Sequence, residues 1–403
     1  MKIAQVSEHA SPLATVGGQD AGGQNVHVRA LSEELVRQGH SVVVHTRRDD
    51  PHAPRQVRTP GGVTVDHVDA GPAAPVPRDS LWPWMGDFAA DLTHQWADEP
   101  PDIVHAHFWM SGAASVAAAR PLGIPVIMTF HALGVVKRRH QGRADTSPPD
   151  RVGTEARLIA EADTVIATCS DEVVELRRIS CAGAVTVIPC GVDLDLFAPT
   201  GPVAPGPGPG RRRLLVVGRL VERKGISTVI EALRVLPDVE LVIAGGPGAV
   251  GLSRDPDVAR LRAGARAHGV ADRVRFLGRV ERSALPALIR SADAVVSVPT
   301  YEPFGMVAVE AMACGVPVVA SAVGGLQESV VDGLTGVHVR PADPPGLSAE
   351  LRRLLDDAPT ARRMGQASRR RAEARYGWSM VASETGLAYG RVTRCDRAAG
   401  SRR

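Results

Sequence analysis

Short apolar runs alternate with amphipathic stretches along almost the whole chain, and that alternation restricts it to an α/β fold. The first series of runs lies at 3–6, 41–46, 63–68, 102–105, 125–129, 164–167 and 185–188. Such short, nearly continuous apolar runs suit strands of a parallel sheet buried on both faces. A second series follows at 213–217, 240–244, 274–277, 294–298, 318–321 and 336–339. Between the series lies TGPVAPGPGPG at 200–210, which can form neither a helix nor a central strand. Helices are expected in the gaps, including 225–235, 257–268 and 306–314. The first starts near Gly23, places Val28, Leu31 and Leu35 on one face, and stops at Gly39, where a left-handed cap suits glycine. The pattern predicts two doubly wound α/β domains facing across a cleft. Their expected bounds are 1–198 and 214–375, with a Pro/Gly linker at 199–213. A C-terminal helix and basic tail at 376–403 is expected to pack back on the first domain.

Composition narrows the function classes. At 403 residues the chain exceeds one ordinary core. Net charge is only +3, and no basic patch is interleaved with aromatics, so nucleic acid is not expected as a partner. The five cysteines are odd in number and never spaced as CxxC, which argues for reduced thiols rather than a disulfide framework. No apolar run approaches the ~20 residues of a membrane span. The chain opens directly on the strand-like KIAQVS, without the features of a signal peptide. The expectation is a cytoplasmic protein without stable membrane association, and a homodimer is kept open. Arginine supplies all but three of the basic side chains, a coding bias that makes the lysines Lys2, Lys137 and Lys224 conspicuous.

Three segments carry chemistry. In Gly17-Gly18-Gln19-Asp20-Ala21-Gly22-Gly23-Gln24-Asn25, two glycine pairs precede a helix start, where the backbone can approach an anion and free N–H groups can bind it. The spacing is not GxGxxG, so a dinucleotide dehydrogenase fits poorly. A flexible surface loop fits the glycines almost as well. In Gly218-Arg219-Leu220-Val221-Glu222-Arg223-Lys224-Gly225, Arg219 and Lys224 can grip one diphosphate across a turn, although such charges are more often simply solvated. In Glu302-Pro303-Phe304-Gly305-Met306-Val307-Ala308-Val309-Glu310, one carboxylate precedes a helix start and the other lies inside the helix. The first suits sugar hydroxyls and the second a ribose diol, with the amides of Gly305 and Met306 between them.

Histidines end several strands. His131 follows a buried strand at the edge where open α/β sheets place ligands, and His105 and His107 form a similar pair. Two of the three are expected to be structural. His105-x-His107 shows no third metal ligand at convincing spacing, and Asp193-Leu194-Asp195 reads as a turn and helix cap, so no metal site is expected.

Taken together these residues resemble the retaining glycosyltransferases of the GT-B fold, family 4, over almost the whole length. GGQN, HAHFWMSG and FHAL are most similar to the branch of sucrose-phosphate synthase, the mycothiol-pathway N-acetylglucosaminyl-inositol-phosphate synthase and aminoglycoside-pathway enzymes. The resemblance implies two Rossmann-like domains and a nucleotide-sugar donor, by family preference UDP-linked, with no cofactor required. It implies Arg219 and Lys224 at the diphosphate, Glu310 at the ribose, and Glu302 at the transferred sugar. Gly22, Gly23, Phe304, Gly305, Met306 and Val307 would complete the donor site, with His131 beside the sugar near the reacting carbon. No protein nucleophile is implied, since a donor phosphate oxygen would take the acceptor's proton.

The acceptor side departs from that branch. Asn25, Arg78, Phe108, Ala132 and Arg157 fall at the positions implied for the acceptor, and two of them lack the hydroxyls that would hold an inositol phosphate. Transfer of a hexose or aminohexose to an aminocyclitol or its glycoside, in aminoglycoside antibiotic biosynthesis, is therefore the expected activity. The alternative is transfer of N-acetylglucosamine to inositol 1-phosphate. A nucleotide-sugar epimerase or a non-catalytic nucleotide-sugar binder are readings of other classes, and incubation with donor alone separates the epimerase.

Overall fold

The computed structural model describes residues 1–14, 22–180 and 183–400, the last six of them through the backbone alone. The Gly17-Gly18-Gln19-Asp20-Ala21 part of the first glycine loop lies outside the described residues, as does Cys181. The chain divides into two compact units, Met1–Gly191 with Trp378–Arg403, and Val192–Gly377.

In chain order the first unit contains β1 (Lys2–Val6), α1 (Gly23–Arg37), β2 (Ser41–Arg47), β3 (Gln56–Arg58), β4 (Thr64–Val68), α2 (Met85–Asp98) and β5 (Ile103–His107). It continues with α3 (Trp109–Ala119), β6 (Val126–Thr129), α4 (Gly134–Gln141), α5 (Arg151–Glu161), β7 (Thr164–Ala167), α6 (Ser170–Ile179) and β8 (Ala184–Val187). The strands form one sheet in the order β3-β4-β2-β1-β5-β6-β7-β8. Every pairing is parallel except β3 with β4, an antiparallel edge that the apolar runs do not signal. In the middle of the sheet, Ile3 of β1 stands opposite both Val42 and Ile103, and β5 is buried at every residue. Such burial is what the near-continuous apolar runs demand.

The second unit contains β9 (Arg212–Val217), α7 (Ile226–Ala232), β10 (Val239–Ala244), α8 (Pro256–Ala267), β11 (Val274–Gly278), α9 (Leu285–Arg290) and β12 (Ala294–Ser297). Then come α10 (Met306–Ala313), β13 (Val318–Ser321), α11 (Leu326–Ser329), β14 (Gly336–Val339), α12 (Pro344–Asp356) and α13 (Ala358–Arg375). Its sheet is wholly parallel, in the order β11-β10-β9-β12-β13-β14. Leu214, Leu241, Val296 and Val319 of this sheet join Val229, Ile230 and Leu351 in one core. The expected helix at 225–235 is shorter, because a 3₁₀ turn at Leu233–Val235 follows α7. The Pro/Gly run is fastened to this unit: Ala204 N–H donates to Ala287 O at 2.9 Å, and Arg290 donates to Pro202 O and Ala198 O at 2.8 and 2.9 Å.

Last in the chain, α14 (Trp378–Gly400) belongs to the first unit and packs on α1. Gln38 Nε2 donates to Ser379 O at 3.0 Å. A Cβ on Gly191 would stand 2.4 Å from the Trp378 ring, so glycine is required where the indole lies flat on the backbone. Cys169 and Cys190 of the first unit and Cys314 of the second are buried, and none of the three forms a disulfide.

Candidate active site

Each sheet reverses its winding direction at one place, and the candidate residues gather there. In the second unit the reversal lies between β9 and β12, the position at which open α/β sheets bind ligands beyond the strands' C-terminal ends. Lys224 and Gly225 follow β9, while Glu302 follows β12. Thr300 N–H donates to Arg223 O at 2.9 Å, tying the two loops. Gly225 has φ +68°, and a Cβ there would meet Val298 O at 2.0 Å, so only glycine lets the loops lie this close. Lys224 Nζ is ion-paired to Glu302 Oε2, and Arg223 stands 3.8 Å from the same oxygen.

Burial and the charges of Lys224, Arg223 and Arg219 oppose each other at Glu302. The cations prevail and hold its carboxyl below the ordinary range. Burial in turn pulls the Lys224 ammonium down, against the attraction of Glu302. Arg219 itself is exposed at the end of β9 and acts on this pair through its charge.

Gly305, at φ +91°, opens α10, and Met306 and Val307 supply first-turn amides that have no acceptor within a helix. Phe304 is buried with its ring against Tyr376, centroids 6.0 Å apart, so its side chain packs and only its backbone remains for a ligand. Glu310 lies inside α10, buried and paired with Arg282 at 2.6 Å. Burial pushes its carboxyl up, and Arg282 opposes that shift. Arg282 belongs to this site although no sequence signal marked it.

The first unit reverses between β1 and β5. His107 ends β5 and His131 follows β6, with 3.0 Å between His107 Nδ1 and His131 Nε2. His107 Nε2 lies 2.6 Å from Gln5 Oε1. His105 is structural, bonded to Tyr389 Oη at 2.7 Å and Thr129 Oγ1 at 2.8 Å. His27 of α1 joins the other two: one ring nitrogen from each of His27, His107 and His131 lies within 4.8 Å of the others. His105, the neighbour of His107 in the His105-x-His107 pair, is not a member of this trio. The three histidines come from three separate elements, which pairwise spacing in sequence does not register.

Phe108 and His131 both adopt positive φ, +82° and +58°. Non-glycine residues held there carry about 1–3 kcal/mol of strain, which concentrates at functional sites. Around Phe108 stand Arg78 and Arg151, with guanidinium carbons 5.5 and 4.9 Å from the ring centroid. Arg151 donates to Ala132 O at 2.6 Å and pairs with Glu155 at 2.8 Å. Arg78 pairs with Asp79 at 3.0 Å, and Lys137 reaches Asp79 and Asp145 at 3.1 and 3.0 Å. Burial opposes the charge on Asp79, but Thr146, Arg78 and Lys137 hold its carboxyl well below the usual range.

Two residues of the expected acceptor set stand apart from the rest. Arg157 points into solvent, within 3.5 Å of Glu161, while Arg151 occupies the place beside Phe108 and Ala132. Asn25 is buried and its amide serves the backbone: Oδ1 accepts from Gly22 N–H at 2.9 Å and Nδ2 donates to Ser11 O at 3.0 Å. It caps α1, with Gly22 at the cap position and Gly23 opening the helix. The Asp193 carboxylate likewise accepts from the amides of Asp195 and Leu196 at 3.1 and 2.9 Å, as a turn cap does.

Two family models match the chain: Glycosyltransferase Family 4 over residues 21–196, and Glycosyl transferases group 1 over residues 203–371. D-inositol 3-phosphate glycosyltransferase of Mycolicibacterium gilvum is 36% identical, over 98% of this chain and 91% of its own. The protein of the same name from Kineococcus radiotolerans is 37% identical, over 99% and 97%. Among solved structures, sucrose-phosphate synthase of Thermosynechococcus elongatus superposes with TM-score 0.89 at 33% identity, covering 98% of this chain and 99% of that one. Anabaena HepE in complex with UDP-glucose shares the fold at TM-score 0.73 and 20% identity, covering 97% and 99%.

Proposed function

The chain belongs to the family 4 glycosyltransferases of the GT-B fold, and from that premise we propose that it transfers a hexose or aminohexose, with retention, from a UDP-sugar to a phosphorylated cyclitol such as D-inositol 3-phosphate. The observation that carries the acceptor class is the pair of guanidiniums, Arg78 and Arg151, both packed against Phe108. Relatives named for that acceptor, at 36% identity over nearly the whole chain, support it. Arginine forks match phosphate geometry.

The donor's diphosphate would lie against Lys224 and Arg219, with Glu310 on the ribose hydroxyls and Glu302 on the sugar. The first-turn amides of α10 would take the remaining anionic oxygens. The acceptor oxygen bonds to the anomeric carbon on the face from which the diphosphate departs. The bond from that carbon to the diphosphate breaks, and the acceptor's proton passes to a departing phosphate oxygen. Positive charge at Lys224 and Arg219 stabilises the leaving group, and binding both substrates in place supplies much of the remaining acceleration. Burial holds the His131 imidazole well below its ordinary value, so it meets a sugar hydroxyl as a neutral ring.

A second reading, transfer to an aminocyclitol of an aminoglycoside pathway, rests on Phe108 and Ala132, which offer no hydroxyl to a phosphate, and on Asp79, whose carboxylate suits an ammonium group. One comparison decides between them. With a single donor, kcat/KM is measured for D-inositol 3-phosphate, unphosphorylated inositol and an aminocyclitol. The phosphate is expected to gain about ten- to a hundredfold over inositol, the range of one charge-assisted hydrogen bond. A higher value for the aminocyclitol would overturn the phosphate reading.

A further inference from the structure

The imidazole cluster at the β1/β5 reversal contains more than the reaction uses. His107 and His131 are hydrogen-bonded to each other, but His27 has no such partner: its Nδ1 is buried without one. A polar atom left unpaired in a core costs about 1–3 kcal/mol, and such sites call for an explanation. The His27 ring stands 5.6 Å from that of His107 and 5.0 Å from that of His131, centroid to centroid. Each ring comes from a different rigid element: α1, the end of β5, and the residue after Phe130.

Burial lowers His27 to about 4 and holds His107 and His131 well below their ordinary value. Each neutral imidazole can offer one unprotonated ring nitrogen to a metal, and the proton between His107 Nδ1 and His131 Nε2 would move to His131 Nδ1 on binding. Three neutral imidazoles with one open position form a donor set for zinc-class ions. Metal–nitrogen bonds of about 2.0–2.1 Å put tetrahedral ligand atoms about 3.3 Å apart. The His107 and His131 nitrogens are already close to that separation at 3.0 Å, and modest ring rotations would draw in His27 from within the 4.8 Å spread. Gln5 Oε1 on the outer nitrogen of His107 is the kind of partner that orients a ligating ring. His131 is only partly buried and gives the site its opening.

We propose that His27, His107 and His131 form a binding site for one zinc-class divalent ion, and that the bound ion inhibits sugar transfer by occupying His131. The binding half stands on geometry alone. The inhibition half rests on the proposed place of His131 beside the donor sugar.

The test uses metal-free full-length protein, with His27→Phe and the polar variant His27→Gln, each checked for folding by circular dichroism. Co²⁺ is the spectroscopic probe and Zn²⁺ is titrated by calorimetry. The wild type is expected to bind one ion per chain with a visible Co²⁺ band of nitrogen-ligated, low-coordinate type. Both variants are expected to lose at least about tenfold in affinity, since even an outer-shell partner is worth 10–100-fold. Turnover in chelator is each protein's own reference, and micromolar Zn²⁺ is expected to depress the wild type but neither variant. Absence of the band, or binding that survives in both folded variants, overturns the site. Binding lost in the variants with no inhibition of the wild type overturns the regulatory half. Inactivity of the chelated wild type with every donor and acceptor overturns the transferase reading instead, and leaves the binding result standing.

Discussion

At the scale of single residues the proposed chemistry centres on Lys224 and Glu302. Their ion pair is partly buried, flanked by Arg223, and sits where the winding of the second sheet reverses. A cation there acts most strongly on charge that develops as the diphosphate leaves. Lys224→Ala is therefore expected to lower kcat by two to three orders of magnitude, about 3–4 kcal/mol. Lys137 pairs with Asp79 and Asp145 beside the proposed acceptor site, so Lys137→Ala should raise the acceptor KM and leave donor KM nearly unchanged. Steady-state kinetics with each substrate varied in turn separates the two, and a kcat of Lys224→Ala near wild type would remove it from the diphosphate. The short motifs made these groups legible because their residues are neighbours in sequence. Arg157 stands away from Phe108 for a reason of helical phase. Residues 151 and 157 lie six positions apart on α5, about 240° around the helix, so only one of them can face Phe108. Arg282 and His27 stayed hidden because neither lies in a short motif with the residues it faces, Glu310 and His107.

At the scale of elements, strands buried on both faces were legible from their apolar runs, while the edge strand β3 was not. Its three residues, Gln56–Arg58, are too few to show a period. It is held instead by charge. Arg55, just before it, donates to Asp66 of β4 at 2.9 Å and to Asp91 of α2 at 2.6 Å. Burial works against the Asp66 charge, but hydrogen bonds from His45 and Arg55 outweigh it and hold the carboxyl well below its ordinary value. A carboxylate lowered in the folded state contributes stability that is complete above about 4 and fades as pH falls beneath that ordinary value. Arg55→Ala leaves Asp66 charged and buried with less compensation. Breaking such a pair can cost 3–5 kcal/mol, and the partial exposure of Arg55 reduces the expectation to about 2 kcal/mol. Urea unfolding at pH 7 should show that gap, and it should narrow as pH falls below about 4, where the wild type loses the stability that its lowered Asp66 carboxyl contributes. A gap that stays constant with pH would place the role of Arg55 in packing rather than charge.

The whole molecule is not divided in the order of its sequence, because α14 closes the first unit after the second is complete. Composition could suggest a terminal helix, but not that its Tyr389 would reach His105 in the middle of a sheet begun hundreds of residues earlier. Both side chains are buried, and the hydroxyl stands 2.7 Å from His105 Nδ1. Without α14, that nitrogen, the Trp378 packing on Gly191 and the helix face of α1 would all lose their cover. Long-range closure of this kind is invisible to local pattern, since neither partner's neighbours encode the other. Tyr389→Phe tests it with almost no change of volume. The variant leaves the buried His105 nitrogen unpaired and is expected to destabilise the first unit by about 1–3 kcal/mol. All five tryptophans belong to that unit, so the fluorescence transition in urea reports it selectively. Hydrogen exchange in β12 and β13 reports the second unit and should be unchanged under native conditions. An unshifted fluorescence transition would mean that the Tyr389 hydroxyl contributes nothing to the closure. Loss of protection in β12 and β13 equal to that in β5 and β6 would mean that the two units unfold as one.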